Sequence, residues 1–93
     1  MDLEEYRKQI NDIDAQLTEL FGRRMRICRE IAVYKAENGL PVADKTRERE
    51  IMEAAAKRSD PDIGKYTRMF MTGLVETSKA YQREVIAGKT ENF

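Results

Sequence analysis

From Leu3 onward, apolar side chains recur at Tyr6, Ile10, Ile13, Leu17 and Leu20, in steps of three and four. After an interruption at position 24 the series resumes at Ile27, Ile31 and Tyr34. That period puts all of them on one stripe of an α-helix, sustained over about five heptads. Nothing breaks the pattern before Asn38-Gly39, a suitable C-terminal cap pair, and Pro41 follows as a stop. The spacing predicts one helix over about residues 2–38, roughly 54 Å long at 1.5 Å per residue.

Two further helices are expected. Asp44 opens the second, over about residues 44–58, with Arg47, Glu48, Ile51, Met52 and Ala55 on one side. Ser59-Asp60-Pro61 ends it, and Pro61 suits the first position of a third helix after an Asp cap. That helix, over about residues 61–87, carries Ile63, Tyr66, Phe70, Leu74, Tyr81 and Val85 on its apolar side, flanked by Thr77 and Ser78. Lys89 to Phe93 reads as a loose tail. No run alternates with period two, so the expected fold is all-α, and 93 residues make one domain.

The long stripe raises a packing problem. A second helix of about 15 residues covers less than half of it. The remainder exceeds the few hundred Å² of contiguous apolar surface usual on a monomer. A symmetric homodimer whose long helices pack together, intertwining the two chains, resolves this. A plain coiled-coil or bundle dimer without chemistry satisfies the same pattern.

Composition narrows the chemistry. Seventeen basic residues balance seventeen acidic ones, without the basic excess of a general nucleic-acid binder. With no histidine, Ser-His-Asp and Cys-His nucleophile systems and histidine-ligated metals are absent. The single Cys28 forms no intrachain disulfide and falls among apolar neighbours at helical spacing, as packed core. The strongest apolar stretch, Ile31 to Tyr34, is far short of the roughly 18 residues of a membrane span. The amino terminus is acidic and lacks the apolar region of a secretory signal, so the expected compartment is the cytoplasm. Arg, Lys, Glu, Asp, Gln and Ser remain to carry any reaction, with no metal or cofactor.

The informative residues are polar ones where apolar ones belong. The stripe calls for an apolar side chain at 24 and the chain has Arg24, within the run Arg23-Arg24-Met25-Arg26. Eleven residues on, Lys35 returns to within about 20° of the same direction. Charges on a core-facing stripe cost several kcal/mol unless opposite charges meet them. Either they pair with Glu48 or Asp44 in a buried ion pair, or they receive an anionic ligand. Asp44, Arg47, Glu48 and Ile51 share a face of the second helix, and Ser78 and Gln82 stand four apart beside the stripe of the third. Such a set suits a small dianion bearing a hydroxyl, whose reaction needs positioning and charge stabilisation rather than proton transfer.

These residues resemble the all-helical chorismate mutases, the intertwined-dimer family of the shikimate pathway. The resemblance runs through Leu3-x-x-x-Arg7-x-x-Ile10-x-x-x-Asp14-x-x-Leu17, then Leu20, Arg24 and Ala32-x-x-Lys35. It continues at Pro41-Val42-x-Asp44-x-x-Arg47-Glu48-x-x-Ile51 and at Leu74-Val75-Glu76-Thr77-Ser78-Lys79-Ala80-Tyr81-Gln82.

The resemblance implies rearrangement of chorismate to prephenate, in the biosynthesis of phenylalanine and tyrosine; with no fused dehydrogenase, dehydratase or synthase in the 93 residues, the expected enzyme is monofunctional. It implies that Arg7 and Arg24 grip substrate carboxylate, with Arg47 and Ser78 completing that recognition. Glu48, helped by Asp44, accepts from the ring hydroxyl, while Lys35 and Gln82 donate to the ether oxygen. It also implies a homodimer with shared sites, in which Arg7 comes from the partner chain. Two alternatives remain open at this stage: a related isochorismate-pyruvate lyase and a non-catalytic helical dimerisation or regulatory module.

Overall fold

The computed structural model describes residues 1–88, so the tail expected from Lys89 to Phe93 lies outside the described residues. Three α-helices follow one another: α1 Leu3–Glu37, α2 Lys45–Arg58 and α3 Gly64–Ile86. There is no strand among the described residues.

α1 is one unbroken helix of 35 residues, matching the run of the stripe. Its length sets the longest dimension of the chain, 53 Å. Asp2 caps its start, Oδ1 accepting from the Glu5 N–H at 3.0 Å. It ends in a Schellman arrangement, with Leu40 N–H donating to the Lys35 carbonyl at 2.8 Å and Gly39 in the left-handed region at φ 64°. Lacking a Cβ, Gly39 takes that conformation without steric cost. The turn returns the chain toward α2.

Asp44 and Glu48 start α2 reciprocally. Asp44 Oδ1 accepts from the Arg47 N–H at 3.0 Å, and Glu48 Oε2 accepts from the Asp44 N–H at 3.3 Å. This is a capping box stretched by one residue. The start of the third helix differs from the sequence expectation. Pro61–Ile63 forms a 3₁₀ turn, Asp60 makes no side-chain cap bond, and α3 begins at Gly64. Ile63 N–H reaches the Asp60 carbonyl at 3.2 Å, the tighter i→i+3 bond of such a turn. The joint is tied instead by Ser59, whose hydroxyl meets that of Thr67 at 2.7 Å.

α3 packs on both α1 and α2, and these are the main helix contacts. The apolar side chains buried in this single chain are small: Cys28 and Ala32 from α1, Ala55 from α2 and Val75 from α3. No large side chain among the described residues is fully buried, and the molecule is a slab 14 Å thick in its shortest dimension. The first half of the α1 stripe, from Leu3 to Leu20, stands 47–60% exposed. The chain alone therefore leaves uncovered much of the apolar face that its sequence encodes.

Candidate active site

Between α1, the start of α2 and the second half of α3 lies a cleft of about 320 Å³. Seven of the eight residues singled out from sequence line it: Arg24, Lys35, Asp44, Arg47, Glu48, Ser78 and Gln82. Ile27, Ile31, Ile51 and Val75 supply apolar wall between them. A larger groove of about 620 Å³ runs further along α1 and α3, past Leu17, Leu20, Phe21, Met69 and Phe70. Arg24 is its single charged lining residue, so the convergent polar groups that fix a polar ligand belong to the smaller cleft.

Helical register explains who meets whom. α1 and α3 run parallel, and Arg24 comes level with Ser78, to whose hydroxyl its Nη1 donates. Ser78 is itself buried, and its hydroxyl donates to the Leu74 carbonyl one turn back at 2.8 Å. The hydroxyl is thereby fixed as an acceptor facing the guanidinium. Arg24 also passes over buried Cys28, 3.9 Å from its sulfur. Arg23, its neighbour, is exposed, whereas Arg24, the member of the pair that falls on the stripe, lines the cleft.

Three turns further along α1, Lys35 Nζ donates to the Val42 carbonyl at 2.8 Å and to Gln82 Oε1 at 3.2 Å. Gln82 is buried. Because its oxygen accepts from Lys35, the two Nε2 N–H groups are the amide donors left for a ligand. An ammonium and an amide are thus held side by side, with no carboxylate bonded to either in the described contacts.

Neither arginine nor lysine of the stripe pairs with Glu48. The partner of Glu48 is Lys79, Nζ to Oε1 at 3.0 Å, with side chains 15% and 25% exposed. Lys79 also reaches Glu76 Oε1 at 3.0 Å. The Lys79 hydrogen bond is the main influence holding the Glu48 carboxyl below its ordinary 4.5, against the opposing effect of burial; the Lys79 charge and the Asp44 N–H add to it. The ion pair of Arg24 or Lys35 with Glu48 or Asp44 that the sequence allowed is therefore not formed: Glu48 is held by a different cation, and Arg24 and Lys35 meet no acid in the described contacts. Spacing carried a signal for Lys79 in Val75, Lys79 and Gln82 at i, i+4 and i+7, which places it on the inner face of α3.

Asp44 and Arg47 sit at the rim. Asp44 is engaged as the α2 cap and acts on Glu48 through its backbone N–H rather than its carboxylate. Arg47 is 65% exposed and touches Glu50 at 3.5 Å, free to turn toward an anion. In all, four cations (Arg24, Lys35, Arg47, Lys79) face two carboxylates (Asp44, Glu48), a net of two positive charges.

Arg7 is not among them. It is 64% exposed and paired with Glu4 at 3.2 Å. Seventeen residues separate it from Arg24, or about 25 Å along the helix axis.

The chain matches the family model of chorismate mutase type II over residues 6–83. A chorismate mutase of Methanocaldococcus jannaschii is 30% identical over 95 aligned positions, covering 97% of this chain and 92% of that protein. A bifunctional chorismate mutase/prephenate dehydratase of Buchnera aphidicola subsp. Schizaphis graminum is 28% identical over 88 positions, covering 91% of this chain. This chain spans only 23% of the length of that bifunctional relative. No solved structure matches the chain significantly.

Proposed function

The chain belongs to the chorismate mutase type II family, and from that premise we propose that its cleft converts chorismate to prephenate, as a homodimer with shared sites. The observation that carries the reading is the juxtaposition of Lys35 and Gln82 at 3.2 Å in a cleft of net charge plus two. Chorismate is a dianion with one ring hydroxyl and one ether oxygen, so its charge and its polar groups both find counterparts.

In the proposed complex, Arg24 takes one substrate carboxylate, with the Ser78 hydroxyl beside it and Arg47 closing from the rim. Glu48 accepts from the ring hydroxyl. Lys35 Nζ and Gln82 Nε2 donate to the ether oxygen. The reaction is intramolecular: the ether C–O bond breaks as a new C–C bond forms, and no proton, electron or leaving group enters or departs. Negative charge gathers on the ether oxygen as the C–O bond lengthens. Donors aimed at that oxygen therefore bind the transition state more tightly than the ground state. Holding the reactive, diaxial conformer supplies a further, entropic share of the rate.

The uncovered stripe from Leu3 to Leu20 supports the dimer. Antiparallel pairing of two long α1 helices brings the Arg7 of a second copy to the cleft that this chain's own Arg7 cannot reach. The test is the loss of chorismate absorbance with purified protein, with prephenate identified as product. Pyruvate release from isochorismate at the higher kcat/KM would make the chain a lyase. No turnover of either substrate would leave the cleft a binding site.

A further inference from the structure

One cation of the cleft has no part in the proposed reaction. Lys79 is nearly enclosed, and two of its three donors are committed, to Glu48 Oε1 and Glu76 Oε1 at 3.0 Å each. The other oxygen of Glu48, Oε2, accepts from the Asp44 N–H at 3.3 Å. Both oxygens of the Glu48 carboxylate are therefore gripped, one from α3 and one from the start of its own helix. A free glutamate side chain has three rotatable bonds and loses considerable freedom when fixed. These two donors fix it before any ligand arrives.

The geometry points to Lys79 as a positioning residue: its ammonium, clamped between Glu76 and Glu48, holds the Glu48 carboxylate in the one rotamer from which it accepts the substrate's ring hydroxyl. This rests on the reading of Glu48 as that acceptor. Lys79 acts through Glu48, since two of its three donors are spent on carboxylates.

The surrounding charges fix the sign of the effect. Glu48 faces Lys79 and Glu76 from α3, and Arg24 and Lys35 of α1 line the same cleft; on its own helix Asp44, Lys45 and Arg47 are near. The cation in direct contact is Lys79. Without it, the desolvation of partial burial is opposed only by the Asp44 N–H and the Lys45 charge, and the balance moves toward the protonated acid, which cannot accept from a hydroxyl in the same way. Loss of Lys79 therefore moves the acid limb of activity to higher pH.

The test uses the full chain. For Lys79→Met, the ratio of kcat/KM at pH 7.5 to that at pH 5 should rise about three- to tenfold over the wild-type ratio. Lys79→Arg should restore the wild-type profile. The Glu48 carboxyl, followed by ¹³C NMR and assigned with Glu48→Gln, should titrate at higher pH in Lys79→Met than in wild type. Should the Met variant fail to fold, Lys79→Gln keeps a neutral donor and must show the same shift. Profiles and carboxyl titrations that superimpose on wild type, with only a lower melting temperature, would overturn the proposal and leave Lys79 a tie between α2 and α3. Wild-type turnover by Glu48→Ala, which removes the acceptor, would instead overturn the reading of Glu48 itself.

Discussion

Arg7→Ala and Lys35→Ala, each made separately and then mixed, test the shared site directly. Arg7 and Arg24 stand seventeen residues apart on one straight helix, about 25 Å, and no side chain spans that gap. If both serve one substrate, each cleft takes Lys35 from one chain and Arg7 from the other. Every site of an Arg7→Ala homodimer then lacks the arginine, and every site of a Lys35→Ala homodimer lacks the ammonium. Co-refolding equal amounts gives about half heterodimers by random assortment of identical interfaces. In each heterodimer one cleft collects both defects and the other collects neither. One quarter of all clefts are then intact, and activity should return to about 25% of wild type. Losing one transition-state donor typically costs about 10²–10³ in rate, so the homodimer background lies near 1% or below. The expected recovery therefore stands about 25-fold above background. The assay is chorismate consumption before and after co-refolding, with native mass spectrometry counting heterodimers. Heterodimers at the expected abundance with activity still at the homodimer level would refute the shared cleft.

Three further outcomes are expected. Lys35→Ala alone should lower kcat/KM by about 10²–10³ while retaining a cooperative melt, because the lost ammonium itself carried a desolvation cost; wild-type turnover would show it to be packing. The wild-type kcat/KM should be flat from about pH 5.5 to 8.5, because the Gln82 amide does not titrate and the depressed Glu48 carboxyl is ionised throughout; Gln82→Glu should introduce a loss at high pH, and a wild-type profile falling steeply between pH 6 and 8 contradicts the donor assignment. Ala32→Leu, at a residue with no exposed surface, should destabilise by about 1–3 kcal/mol and lower Tm by several degrees; an unchanged Tm would mean that the helices around Ala32 part freely.

Periodicity made the helices legible from sequence. A period of 3.6 is a property of the local backbone, so the stripe from Leu3 to Tyr34 set the course of α1 without reference to any partner. Local chemistry likewise marked Asn38-Gly39 as a stop and Asp44 as a start. The same stripe exposed Arg24 and Lys35 as polar side chains on an inner face, and both line the cleft. Asp60-Pro61 did not mark the start of α3, because a proline suits the first turn of either an α-helix or a 3₁₀ turn, and here it opens a 3₁₀ turn.

What only the tertiary structure decided was which charge meets which. Glu48 stands 13 residues from Lys35 and 31 from Lys79, and it pairs with the more distant one. That selection depends on the offset between the packed helices α2 and α3 rather than on any pattern within one helix. Lys35, released from Glu48, anchors instead on the Val42 carbonyl, a backbone group that side-chain spacing cannot reveal. Sequence periodicity determines the face on which a residue lies; the register between faces, which chooses among several oppositely charged partners of similar reach, exists only once the helices are packed.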